Sequence, residues 1–169
     1  MNTTDQATLE ALAERLGVLL RSAGQTVATA ESCTGGWVGQ CLTAIPGSSA
    51  WYDRGFVTYS YASKSDLLGV PAELIATRGA VSEAVALSMA EGVLAHSVAD
   101  WSVAITGIAG PDGGTPDKPV GTVCFAWAGR DGTRATRTCR FVGHRAEVRA
   151  QAVATALTGL IERAGRLLA

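Results

Sequence analysis

No charge of one sign dominates this chain. Its 14 Lys and Arg stand against 15 Asp and Glu, a formal net charge of -1 spread along 169 residues. With no basic stripe to meet a phosphate backbone, nucleic acid is not expected as a partner. A run of about 18 apolar residues, the minimum for a spanning helix, is also missing. The polar start Met1 to Gln6 carries no basic flank followed by an apolar stretch. No membrane contact is therefore expected, and the expected compartment is the cytoplasm. Cys33, Cys41, Cys124 and Cys139 form no C-x-x-C pair, and His96 and His144 are the only histidines, too few for a zinc ligand set. No metal is expected. A chain of this length with 47% hydrophobic residues builds a core without disulfide staples, so the thiols are read as reduced. Lysine is scarce: Lys64 and Lys118 stand beside 12 arginines.

What is present reads as one α/β domain over residues 1–169. Leu9, Leu12, Leu16, Leu19 and Leu20 recur at helical spacing between Asp5 and Ala23, and Gly24 follows as a C-cap. Thr26 to Ala30 reads as a strand that turns at Gly35-Gly36 into a helix from Trp37, with Pro46 to Ser49 ending the unit. Trp51 to Tyr59 is aromatic and β-branched and predicts a second strand, followed by a short helix around Ser63 to Leu68 that Gly69 and Pro71 close. Ser82 caps a helix to about His96, with Val85, Met89 and Val93 on one face. Trp101 to Thr106 is a buried strand. Gly107 to Pro119 holds four glycines and three prolines, too many breakers for regular structure, and long loops in compact domains are usually functional. Val120 to Ala128 and Thr133 to Val142 are strands joined by a tight turn at Asp131-Gly132, and a last helix runs from about Arg145 to Leu168. Helices between the early strands predict parallel pairing covered on both faces. The expected architecture is a three-layer α/β/α sandwich with a mixed, mostly parallel central sheet.

The chemistry centres on Ala30-Glu31-Ser32-Cys33-Thr34-Gly35-Gly36, where a strand ends and a helix begins. Gly35 and Gly36 allow backbone N–H groups to approach a ligand closely, as an anion cradle or an oxyanion hole. The plainer reading is that Ser32 or Thr34 caps the helix. A nucleophilic hydroxyl needs a base, and Lys64 is the candidate, because a desolvated lysine can lose its proton where an arginine cannot. A solvated lysine on a short helix is the alternative. Tyr59, at the strand end, could relay a proton or be a buried structural tyrosine. The loop Thr106 to Gly114 could wrap a phosphate or sugar with its amides, yet it lacks the P-loop Gly-Lys-Ser/Thr and the G-x-G-x-x-G spacing. His144, Arg145 and Arg149 crowd a helix start where the macrodipole disfavours cations, so either an anionic ligand or Glu147 offsets them.

Six ordered segments carry a resemblance to a known family. They are Ala30 to Gly36, Gly55 to Ser60, Lys64 with Leu67 to Val70, Gly79 to Ser82, Thr106 to Pro111, and Lys118 to Val123. Together they make the chain resemble, from about Thr26 to Leu160, the family of the CinA C-terminal domain, also known as nicotinamide-nucleotide amidohydrolase or NMN deamidase. The resemblance implies hydrolysis of the carboxamide of nicotinamide mononucleotide (NMN) to nicotinic acid mononucleotide and ammonia, by acyl transfer without a cofactor. It puts Ser32 in the nucleophile's place and Tyr59 with Lys64 in those of its activators. Thr106, Gly107 and Arg145 fall at the binding site. Backbone groups of Thr34, Gly35 and Gly36 would hold the oxyanion, and the helix-terminus argument gives Arg145 the phosphate. Tyr61 and His144 depart from the family pattern, which commonly has Asn and Asp there. A homo-oligomer is implied. Longer members carry an N-terminal domain that is not expected here. Two rivals stay open: Cys33 as nucleophile, with a thiolate favoured at a helix start, and a non-catalytic nucleotide-binding or regulatory module of the competence and DNA-damage response.

Overall fold

The computed structural model describes residues 4–166. Helix α1 (Gln6–Ala23) starts where the Asp5 carboxylate accepts the Thr8 N–H and stops at Gly24, which takes a φ of 64° that suits glycine. Strand β1 (Val27–Glu31) leads to α2 (Trp37–Thr43), a short 3-10 turn at Ser48–Ala50, and β2 (Tyr52–Val57). Then come α3 (Tyr61–Leu68), α4 (Ala72–Arg78), α5 (Glu83–Ala95) and β3 (Trp101–Gly107). Strands β4 (Thr122–Gly129) and β5 (Arg134–Arg140) form a hairpin before α6 (Arg145–Arg166). The part of the last helix expected beyond Arg166 lies outside the described residues. Helix α4 was not expected: Pro71, read as closing a helix, also stands as the extended N-cap of the next one, at φ -61° and ψ 129°.

The strand order is β2-β1-β3-β4-β5. Strand β1 pairs in parallel with β2 and β3, whereas β3 with β4 and β4 with β5 are antiparallel. The sheet is therefore evenly mixed rather than mostly parallel. A parallel return needs a crossover such as α2 or α3 to α5, and the irregular loop after Gly107 and the four-residue turn before β5 are not crossovers.

Alternation along the strands sorts the two faces. Val27, Val103, Ile105, Phe125 and Trp127 pack with Leu9, Leu16, Leu20, Val38, Val153 and Leu157 of α1, α2 and α6. Ala28, Ala30, Ala104, Ala126 and Ala128 point the other way, toward Val85, Met89 and Val93 of α5. Small residues on that face let α5 come close, so that Ser102 Oγ donates to the Ala90 carbonyl at 2.8 Å. Helices on both faces complete the three layers. Among the described residues no helix is long and apolar enough to cross a membrane. From β1 the chain passes through α2 to β2 on one side, then returns through α3 to α5 to β3 on the other. The C-terminal ends of β1 and β3 thus flank a topological switch point, where open α/β sheets leave a crevice.

Candidate active site

Ser32 extends β1 by one residue: its N–H donates to the Ile105 carbonyl at 3.0 Å. The turn that follows relies on Gly35 and Gly36, at φ of 60° and 101°, values that suit glycine. Neither Ser32 nor Thr34 caps α2, whose N-cap is Gly36 without a side-chain bond. That work falls to Glu31, only 2% exposed, whose carboxylate accepts the N–H groups of Val38 at 2.9 Å and Gly39 at 3.0 Å. An anion at a helix N-terminus is favourable, and it fixes α2 against the strand that presents Ser32. Sequence reasoning passed over Glu31; an acid ending an otherwise uncharged strand was the available signal.

Helix α3 brings the lysine. Ser60 caps it by accepting the Ser63 N–H, and Lys64, one turn in, is 1% exposed. Its Nζ lies 3.0 Å from Ser32 Oγ and donates to the Thr58 carbonyl at 2.8 Å. Burial pushes the amine below its ordinary value of 10.5, because the ammonium form loses its hydration. The reading of a solvated lysine does not apply. Lys118 does another job: its Nζ donates to the Arg78 carbonyl at the C-terminus of α4, at 2.9 Å, and ties the glycine-rich loop to that helix.

A cavity of about 200 Å³ opens over this pair, lined by residues that include Ser32, Cys33, Tyr59, Lys64, Thr106, Gly107 and Arg145. Thr106 is held by its hydroxyl donating to the Ala80 carbonyl at 2.8 Å. Gly107 is required by close approach, since a Cβ there would lie 2.8 Å from Val123 and 3.1 Å from Cys33 Sγ. Tyr59 is 61% exposed, so it is not a buried structural tyrosine. Its hydroxyl takes a bond from Arg145 Nη2 at 3.2 Å, while Arg145 Nη1 donates to the Gly110 carbonyl at 2.8 Å. Tyr61, one of the two departures, also lines the cavity.

Not every amide of the expected oxyanion turn is available. Thr34, Gly35 and Gly36 line neither this cavity nor its neighbour, and the Gly35 N–H is already given to the Ser32 carbonyl at 3.1 Å. Cys33 faces the cavity, but desolvation pushes its thiol up to about 12, which removes the thiolate that a nucleophilic cysteine requires.

Beyond Arg145 a larger cleft of about 550 Å³ runs between the glycine-rich loop and the start of α6, lined by Ala109, Gly110, Val120, His144, Arg145 and Arg149 among others. Alone, the smaller cavity falls below the roughly 300–1,000 Å³ usual for ligand sites. Sharing Ala109 and Arg145, the two adjoin as a reactive end and a cationic end. At the helix start, Glu147 accepts the His144 N–H at 2.8 Å and lies 3.7 Å from its ring. Glu147 is thus engaged with His144, and Arg145 and Arg149 line the cleft.

The family described as the CinA C-terminal domain matches residues 9–164. A nicotinamide-nucleotide amidohydrolase PncC from Escherichia coli strain K12 is 54% identical over 149 residues, covering 88% of this chain and 90% of that protein. A CinA-like protein from Mycolicibacterium gilvum is 58% identical over 135 residues, 80% of this chain but 32% of its own greater length. Among solved structures, the competence/damage inducible protein CihA from Agrobacterium tumefaciens superposes with a TM-score of 0.90 at 48% identity, covering 91% of this chain and 94% of that one.

Proposed function

The chain belongs to the CinA C-terminal domain family, and on that premise we propose that it is an amidohydrolase that converts NMN and water to nicotinic acid mononucleotide and ammonia. The observation that carries the reading is the buried Lys64 amine 3.0 Å from Ser32 Oγ, at the floor of a cavity. Relatives at about this identity bear the name nicotinamide-nucleotide amidohydrolase.

In the proposed mechanism the neutral Lys64 amine takes the Ser32 proton, and the oxygen attacks the carboxamide carbon. The Thr58 carbonyl accepts one amine hydrogen and so helps to orient the nitrogen lone pair toward Ser32. The new ammonium then stands beside the tetrahedral centre and returns its proton to the leaving nitrogen. Ammonia departs, an ester on Ser32 remains, and water attacks it with Lys64 again as base. Tyr59 enters as a donor at the rim: with Arg145 donating to its oxygen, its own O–H is free to point into the cavity. Arg145 takes the 5′-phosphate in the larger cleft. We further propose that the protein works as one domain, in the cytosol, as a homo-oligomer, on a small-molecule nucleotide and not on nucleic acid.

Ammonia release from NMN tests the reading. Ser32→Ala should abolish release while NMN still binds, since Ser32 caps no helix and the fold loses only its contact with Lys64. Turnover by Ser32→Ala at the parental rate would remove Ser32 as nucleophile. A parent that binds NMN without releasing ammonia would be a binding module.

A further inference from the structure

We propose that Arg149 is a positioning residue that couples the anionic end of the substrate to the nucleophile turn; this rests on the reading above, in which the substrate's phosphate occupies the larger cleft. Arg149 Nε donates to the Cys33 carbonyl at 3.0 Å and Nη2 donates to the Thr34 carbonyl at 3.1 Å. Those are the two carbonyls that follow Ser32. Its guanidinium also lies over the Trp37 ring, 5.3 Å from the centroid, and Trp37 is the first residue of α2. The side chain therefore spans from α6 to the turn and to the helix beyond it. Gly35, in the same turn, is asked for by its φ of 60° and not by this guanidinium, since a Cβ there would meet Arg149 Nη2 at an ordinary contact distance of 3.7 Å.

The same guanidinium lines the 550 Å³ cleft, and its Nη1 has no hydrogen-bond partner among the described residues. A guanidinium is a rigid plane with five donors, so fixing one edge fixes the other. An anion held at Nη1 locks the two bonds on the turn, and the turn carries Ser32 to its place beside Lys64. Binding energy from the remote phosphate is thereby expressed at the reacting centre, which raises kcat and not affinity alone. Arg145, one helical turn earlier, instead holds Gly110 and Tyr59, so it has no path to the Cys33 and Thr34 carbonyls.

The test compares NMN with nicotinamide riboside, which lacks the phosphate, with and without inorganic phosphate as the probe. For the parent, riboside kcat should lie roughly tenfold or more below that of NMN, and inorganic phosphate should raise it, as expected when remote binding fixes a reacting geometry. Arg149→Gln should lower NMN kcat by roughly 10²-fold, the usual cost of a small misplacement, and riboside turnover should no longer respond to phosphate. Arg149→Lys should not rescue either property, because a point-charge amine cannot bridge two carbonyls and an anion in one plane. An Arg149→Gln enzyme with raised KM and unchanged kcat would overturn the inference by making Arg149 a binding residue only. So would a parental riboside rate that phosphate leaves unchanged, an arm that requires no variant to fold. Either result with NMN still hydrolysed overturns this inference alone, whereas failure of the parent to release ammonia from NMN overturns the functional reading and this inference with it.

Discussion

Replacing Lys64 by Met keeps an unbranched chain of similar length in a buried site and deletes the amine. Two consequences oppose each other. The Thr58 carbonyl loses the donor that Nζ supplies at 2.8 Å, which costs about 1–3 kcal/mol when the group stays buried. Against this, the fold no longer has to desolvate an ammonium, the burden that lowers the Lys64 pKa from 10.5. Only the second effect depends on pH. Between the lowered folded value and 10.5, the unfolded chain holds a proton that the folded chain has released, so parental stability rises with pH across that window. The slope approaches at most about 1.4 kcal/mol per pH unit. Below the window the full burden is present. Thermal melts of parent and Lys64→Met from pH 6 to 10.5 should therefore show the difference, variant minus parent, shifting against the variant as pH rises, with every other titrating group common to both. Parallel curves would refute the claim that the buried amine changes protonation.

The same residue separates charge from basicity in kinetics. Lys64→Met and Lys64→Arg should each lose roughly 10²–10⁴-fold in kcat, the range for general acid–base catalysis. Arginine keeps the charge but, with a pKa above about 12, cannot accept the Ser32 proton. Its bulk at a position only 1% exposed costs a further 1–3 kcal/mol, roughly, from overpacking, so a melt must confirm folding first. The parent's kcat/KM should rise with pH through the lowered pKa, and that limb should vanish in both variants. A folded Lys64→Arg with the parental rate and profile would refute the base assignment.

Arg145→Ala should raise KM for NMN far more than for the phosphate-free riboside, measured by ammonia release; equal losses would take the phosphate away from Arg145. Because desolvation holds the Cys33 thiol at about 12, the native enzyme should resist alkylation at Cys33 near pH 8, and Cys33→Ala should retain most of its kcat. Rapid labelling with parallel inactivation would revive the cysteine nucleophile.

The strands, the β4–β5 hairpin and the Ser82 cap could be read locally, because each depends on neighbours within a few residues. So could the suspicion about Lys64, in a chain that elsewhere places arginine. The parallel share of the sheet was overstated because parallel pairing was inferred from intervening helices, and helices intervene only between β1 and β2 and between β2 and β3. Helix α4 escaped because Pro71 both stops and starts helices. The roles of Glu31, Arg145 and Arg149 depend on partners far along the chain: Arg149 meets carbonyls more than 100 residues away, and no local pattern specifies such a bond. The oxyanion expectation is narrowed for a related reason. Glycines at a helix start make amides accessible in principle, but here the Gly35 N–H closes the turn itself.

The two halves of the sheet divide the labour. Strands β1, β2 and β3 run in parallel, so their C-terminal ends gather Glu31 and Ser32, Thr58, and Thr106 with Gly107 at one edge, and α3 drops Lys64 into the gap. Burying an amine there is unfavourable, and the surrounding core must sustain it. The antiparallel half adds none of the proposed catalytic groups but braces the cleft wall. Ile108 N–H donates to the Thr122 carbonyl at 2.9 Å, and Gly121 N–H donates back to the Ile108 carbonyl at 2.8 Å. Both ends of the breaker-rich loop are thus pinned, with Lys118 anchoring it near its end. A wall held at three points presents Gly110 to Arg145 in a fixed position, which is why a segment without regular structure can serve as one side of a binding cleft. The hairpin in turn delivers the chain to α6, whose first two turns carry Arg145 and Arg149 back across the ends of the parallel strands.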